Sequence, residues 1–327
     1  MKKRFSEFIL LILSLCAFAK GTKDSLWISN PYYDLNSEDF IAAVGSGLLL
    51  EDAKKNALQE VSSSILQQIN SEVSVSQSAS SNGKENSSYT SSVQTKSKID
   101  KISGLEIKNT CKEKKVYYAR AVLEKSKAVQ FYNLEINKKS LEIENLIEKN
   151  NKTTIERCSD LKKALVLAKE NDEDLSIIYA IRPQTKKVLT YGSSSEIEVQ
   201  LKNEFSKLTV LVQVENDKND TIFNAFCKTF NDLGIKTTSS DSADYSYVLK
   251  ANVKVEPLAT SDDAKIYFSR ISISADVSEK DSKKTVLSFV QNKRDGKLSQ
   301  KEADSSVWRT GEKLITTEFA KELDKIL

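Results

Sequence analysis

The chain has 327 residues, a formal charge of +3 from 49 basic and 46 acidic side chains, and no histidine. The missing imidazole excludes Ser-His-Asp and Cys-His triads, H-E-x-x-H zinc sites and histidine general bases; carboxylate-pair and Ser-Lys chemistry stay open in principle, with no motif pointing to either. The charge balance is too even for a phosphate-backbone ligand, so no nucleic-acid role is expected, and the length exceeds one ordinary domain.

Lys2-Lys3-Arg4 is followed by an apolar run over residues 8–18, broken only by Ser14 and Cys16, and then by Ala17-Phe18-Ala19 ahead of Lys20-Gly21. A basic start, a short apolar run and an A-x-A site make a secretory signal peptide over residues 1–19. The run is short for a membrane span, and no later stretch approaches that length. The expectation is an exported chain beginning at Lys20, soluble or peripherally attached. Leu13-Ser14-Leu15-Cys16 approximates a lipobox, whose Cys is lipidated; the large Leu15 stands where that processing wants a small residue, which favours cleavage after Ala19. Removing residues 1–19 takes away Lys2, Lys3, Arg4 and Glu7 and leaves a charge of about +1. Cys111, Cys158 and Cys227 then remain, so at most one intramolecular disulfide can form. None lies in a C-x-x-C pair, and buried thiols are expected rather than a redox or metal role.

Residues 27–127 read as a first unit, opened by Trp27-x-x-x-Pro31. Residues 41–44 are a short apolar strand ending at Gly45-Ser46-Gly47, and Glu51 and Asp52 suit the positive N-terminus of the helix that follows. Ala53, Ala57, Val61, Ile65 and Ile69 recur every four residues, so one apolar face begins with small side chains and can lie close to a sheet. Val73 and Val75 alternate with serines, a Ser-rich tract carries Asn82-Gly83, and Tyr89, Val93 and Ile99 sit on a second polar run. Asn-Gly between two alternating runs predicts a hairpin over residues 73–99. Residues 102–107 and 116–123 supply further strands of a β-α-β-β-type module.

Over residues 128–207 the period turns helical, with Leu141 and Leu146, then Leu161, Ala164, Leu165 and Ala168, then Ile197, Leu201 and Phe205, separated by polar joints at Asn150-Asn151 and near Pro183. This is a helical connector. Residues 208–327 form a second α+β unit, expected to fold by itself. A strand over 209–214 precedes a helix whose Phe223, Phe226, Phe230 and Leu233 share a face and which stops at Gly234. Tyr245, Tyr247, Leu249, Ala251, Val253 and Val255 alternate along a long strand, and residues 266–277 and 286–291 continue an antiparallel meander. Ser299 with Glu302 predicts a capping box for a terminal helix striped by Trp308, Ile315, Phe319 and Leu323. The fold class is α+β.

Trp27-x-x-x-Pro31, Val44-Gly45-Ser46-Gly47, the Ala-rich helix from Ala53, the Val/Ser run after it and Tyr117-Tyr118-Ala119-Arg120-Ala121-Val122-Leu123 stand in the order that resembles the LPP-twenty family of bacterial envelope lipoproteins, over about a third of the chain. The same module is similar to the N-terminal domain of flagellar assembly protein T. Residues 208–327 resemble a TolB-amino-terminal or curli-secretion-type domain in topology. These resemblances imply an outer-membrane or periplasmic protein, often lipid-anchored, with no established catalytic residues. The chain departs from the family at the lipobox, on which the anchor depends.

Four features carry candidate chemistry. Gly45-Ser46-Gly47 sits where backbone amides hold phosphates, but neither a full G-x-G-x-x-G nor a G-K-[ST] follows, which favours a tight strand-to-helix turn. Trp27 with Tyr32-Tyr33 is a ligand platform or, as expected, a lid on a core. The hairpin faces, Val73, Val75, Gln77, Ala79 and Tyr89, Ser91, Val93, Thr95, are too polar for a barrel strand in lipid, so pairing with a neighbouring chain or a solvated tip is expected. Asp241, Asp244, Asp262 and Asp263 cluster at turn positions. The reading is a non-catalytic exported envelope protein, structural or assembly-related, lipoprotein-like or flagellum-associated, in the periplasm or outer membrane. Its expected partners are envelope proteins or itself through residues 73–99, with no cofactor, metal or catalytic residue. The alternative is a periplasmic small-ligand or metal binder, or a carboxylate enzyme, using the four aspartates.

Overall fold

The computed structural model describes residues 25–79, 102–148, 153–185, 187–258 and 266–327. They fall into two compact α+β units, one from the described parts of Met1–Leu134 and Leu175–Thr185, the other from those of Glu135–Asp174 and Lys186–Leu327.

In the first unit a four-residue helix, α1 (Leu26–Ser29), precedes β1 (Phe40–Gly47), α2 (Leu50–Ala79), β2 (Leu105–Glu113) and β3 (Val116–Glu124). The sheet is antiparallel in the order β1-β3-β2. β3 is central because it is the strand with an almost continuous buried stretch, Ala119 to Leu123. Two expectations are corrected here. Gly45-Ser46-Gly47 is not the turn: β1 runs through Gly47, paired to Tyr117, and Leu48-Leu49 make the turn. The first arm of the expected hairpin, Val73 to Ala79, is the end of α2. The four-residue spacing of Val61, Ile65 and Ile69 continues to Val73, and no Gly or Pro interrupts residues 50–79, so nothing stops the helix where Val-Ser alternation suggested a strand. Asn82-Gly83, Tyr89, Val93 and Ile99 lie outside the described residues.

Three helices follow: α3 (Lys125–Glu148), α4 (Thr154–Ile181) and α5 (Ser194–Lys207). Both later helices start on capping boxes that the T-x-x-E and S-x-x-E spacings encode. Thr153 Oγ1 accepts from Glu156 N while Glu156 Oε2 accepts from Thr153 N, and Ser193 and Glu196 do the same.

The second unit adds β4 (Thr209–Glu215), α6 (Thr221–Asp232), β5 (Lys236–Thr238), β6 (Tyr247–Pro257), β7 (Tyr267–Glu279), β8 (Thr285–Lys297), α7 (Gln300–Leu314), a π-helical turn (Ile315–Phe319) and α8 (Ala320–Ile326). The sheet order is β5-β4-β6-β7-β8. The expected meander is β6-β7-β8; β4 runs parallel to β5 and β6, which the intervening α6 makes possible. Gly234, at φ +83, ends α6 in the left-handed region as expected, its N–H donating to Asn231 O. Ser299 Oγ accepts from Glu302 N, one half of the predicted box. One hydrophobic cluster joins the sheet to α6 and α7 and also takes in Ile143, Cys158, Leu161, Ala164, Ile197 and Phe205. At its centre Phe319 meets Phe226, Phe230 and Phe289 edge to face, with centroids 4.9, 5.8 and 5.5 Å away.

Candidate functional site

The motif residues of the first unit converge on one buried cation. Arg120, 1% exposed, donates from Nη1 to Pro31 O at 3.1 Å and to Asp34 Oδ1 at 2.5 Å, and from Nε and Nη2 to Asn109 Oδ1 at 3.0 and 2.6 Å. Its guanidinium lies 5.7 Å from the Trp27 ring centroid. Ala42 N donates to Tyr32 Oη, while Tyr33 points to solvent. Trp27, Pro31 and Tyr32 are thus held by strand residues and close a core. The hydrogen bond from Arg120 keeps the Asp34 carboxyl below its ordinary value of 3.8. Asp34 and Asn109 carry no family signal, and charge complementarity to an arginine between Ala119 and Ala121 is the only sequence clue to them.

Gly45 and Gly47 serve packing. A Cβ on Gly45 would stand 2.1 Å from Ala57 N and 2.6 Å from Ala53 O, so the bare backbone lets α2 press onto β1. The stretch is spent on pairing with β3 rather than on an anion cradle.

The aspartates do not form a centre. Asp241 Oδ1 accepts from Gln213 Nε2 at 2.9 Å, Asp244 is fully exposed with Lys280 at 3.9 Å, and Asp262 and Asp263 lie outside the described residues. Among the described residues no three His, Cys, Asp or Glu side chains are grouped to hold a metal, and no helix is long and apolar enough to cross a membrane. Cys111, Cys158 and Cys227 form no disulfide. Burial pushes the Cys158 thiol up to about 12 and raises Cys227 as well.

Two polar assemblies in the second unit escaped the sequence reading. Between α3 and α4, Lys139 Nζ lies 2.6 Å from Asp174 and 3.4 Å from Glu170, and buried Asn171 donates to Ile136 O, Ser140 Oγ and Tyr191 Oη at 3.3–3.4 Å. Isolated polar residues on helices read as solvated until their partner helix is known. The other assembly is an open groove of about 820 Å³ between the end of β8 and the exposed side of α7. Lys297, Lys301, Arg309 and Glu302 line it together with Ile266 and Leu298. Gly296 keeps its floor low, since a Cβ there would stand 2.6 Å from the Phe268 ring.

No family model and no curated protein matches the chain, so the LPP-twenty resemblance rests on the motif residues alone. Among solved structures the chain is similar to the secreted protein HP1454 from Helicobacter pylori, at 16% identity and a TM-score of 0.45, over 85% of this chain and 98% of that one. A minor lipoprotein from Acinetobacter baumannii matches at 9% identity and a TM-score of 0.25, over 34% of this chain and 91% of its own. The rare lipoprotein B of Shewanella oneidensis matches at 11% and 0.26, over 36% and 91%.

Proposed function

We propose that this is an exported, non-catalytic protein of the bacterial cell envelope, a structural or assembly factor working through contacts with other envelope proteins or with copies of itself. The observation that carries the reading is the leader: Lys2-Lys3-Arg4, the apolar run over residues 8–18 and Ala17-Phe18-Ala19. The engagement of buried Arg120 and of Lys139 with neighbouring side chains supports a structural use of the interior polar groups. The finer readings are a lipid anchor at Cys16 and an association with the flagellum. The acidic-turn alternative draws no support from Asp241 and Asp244, one tied to Gln213 and the other in solvent.

N-terminal sequencing of protein recovered from periplasmic and outer-membrane fractions tests the reading. A start at Lys20 is expected; a lipid-modified Cys16 converts the protein to a lipoprotein, and an intact leader in the cytoplasm ends the export reading. Crosslinking in intact cells with mass spectrometry tests the second half. A chain that crosslinks neither to itself nor to any envelope protein is not an assembly factor.

A further inference from the structure

We propose that the groove between β8 and α7 docks the second unit on an anionic lipid surface. Lys297, Lys301 and Arg309 face it together. Among the described residues neither Lys301 nor Arg309 has an ion-pair partner, and the nearest carboxylate to Lys297, that of Asp295, is 3.9 Å away. Asp295 is itself engaged by the Ser306 hydroxyl and the Gly296 N–H. Among the described residues Glu302 is the one carboxylate on the lining, so the described lining carries a surplus of cations in a chain close to neutral overall.

Beside the cations stand Leu298, 79% exposed, and Ile266, 47% exposed. Both line the open groove yet stay exposed, so their apolar surface is available to a soft surface laid over it. Apolar side chains that enter the headgroup boundary, flanked by cations whose stems reach back to lipid phosphates, are the composition of an interfacial contact. Three cations are too few for a nucleic-acid backbone. The surface is distinct from the leader and goes beyond the export reading, and a purified chain tests it whichever way the leader is processed.

The test uses the full chain with Leu298→p-benzoylphenylalanine, illuminated on phosphatidylglycerol–phosphatidylcholine vesicles, with lipid adducts read by mass spectrometry. Adducts at a chosen side chain report the groove whatever residues 8–18 do. Adducts are expected at position 298 and not with the same probe placed at Val290, 72% exposed on β8. Lys301→Glu with Arg309→Glu, or pure phosphatidylcholine, should reduce them by about tenfold or more. Both sites are exposed, and Lys301→Gln with Arg309→Gln repeats the comparison if the reversed pair lowers the melting midpoint. Equal adducts at 290 and 298, or adducts indifferent to both variant pairs, overturn the proposal. So does calorimetric binding of inorganic phosphate that both variant pairs abolish, without lipid adducts, which would make this a free-anion site. Protein adducts replacing lipid ones in cells would assign the surface to a protein partner.

Discussion

Arg120 shows how much one side chain can organise. It is buried, yet its side chain is held by groups brought from elsewhere in the sequence: Pro31, Asp34, Asn109 and the Trp27 face. Arg120→Ala leaves those acceptors to find other donors and should destabilise the first unit by about 3 kcal/mol, read by chemical denaturation. Arg120→Lys should recover only part, because an ammonium does not reproduce the fork. Asp34 adds a pH signature. Its carboxyl is held below its ordinary value of 3.8, so its contribution is complete above that value and is lost as pH falls through the lowered one. The melting gap between the wild type and Asp34→Asn should therefore be present at neutral pH and close in acid; a constant gap would show that the ion pair is not its source. Half exposure of Asp34 keeps the effect modest. Cys158 gives a second test at this scale. With its thiol pushed up to about 12 and no solvent access, it should resist alkylation in the native protein at mildly alkaline pH and react only after denaturation.

Among the elements, β1–α2 and the terminal helix use glycine in opposite ways. At Gly45 an added Cβ meets backbone, which cannot move aside, so Gly45→Ala should cost about 3 kcal/mol or prevent the first unit from folding. At Gly311, inside α7, the neighbours are the tips of Ile271 and Ile222, at 2.6 and 2.9 Å, which can turn. There the gain of about 1 kcal/mol in helix propensity offsets the crowding, and Gly311→Ala should be close to neutral in the same denaturation assay. The terminal helix also explains its π-helical turn. Ala303, Val307, Gly311, Ile315, Phe319 and Leu323 are buried at a strict spacing of four, and in an α-helix each such step overshoots a full turn by about 40°. A wider turn at Ile315–Phe319 winds the stripe back toward the core. The Ile315, Phe319 and Leu323 part of that spacing was visible in the sequence, with Trp308 read in place of the buried Val307, as were the amphipathic faces of α2 and α6, the Gly234 stop and the meander, because burial imposes a period on each. The last turns of α2 were misread because Val-Ser alternation and a helical four-residue repeat coincide at Val73. Asp34, Asn109 and the Lys139–Asp174 pair were not legible, since a buried polar residue shows only through a partner that the fold supplies. Of the groove, neither Lys301 nor Arg309 carried any sequence signal, their meeting with Leu298 being a matter of how α7 lies beside β8.

At the scale of the molecule the compact units do not follow the boundaries that composition suggests. The cluster that holds the second sheet includes Cys158, Leu161, Ala164, Ile197 and Phe205, all before residue 208. Residues 208–327 expressed alone should therefore melt broadly and bind a hydrophobic dye, whereas residues 125–327 should melt cooperatively; a sharp transition in the shorter piece would show that the upstream helices are dispensable. The interleaving, in which Leu175–Thr185 belongs to one unit and the residues on either side to the other, also has a consequence in time. A chain delivered across a membrane from its N-terminus presents β1, α2 and β3 well before their last segment arrives. Ile143, Leu161 and Ala164 then wait for β6 to β8 and the terminal helix, which begin more than eighty residues later. During that interval a greasy helical surface stands open to its surroundings, so the second unit should depend on a holding factor or on rapid passage more than the first does.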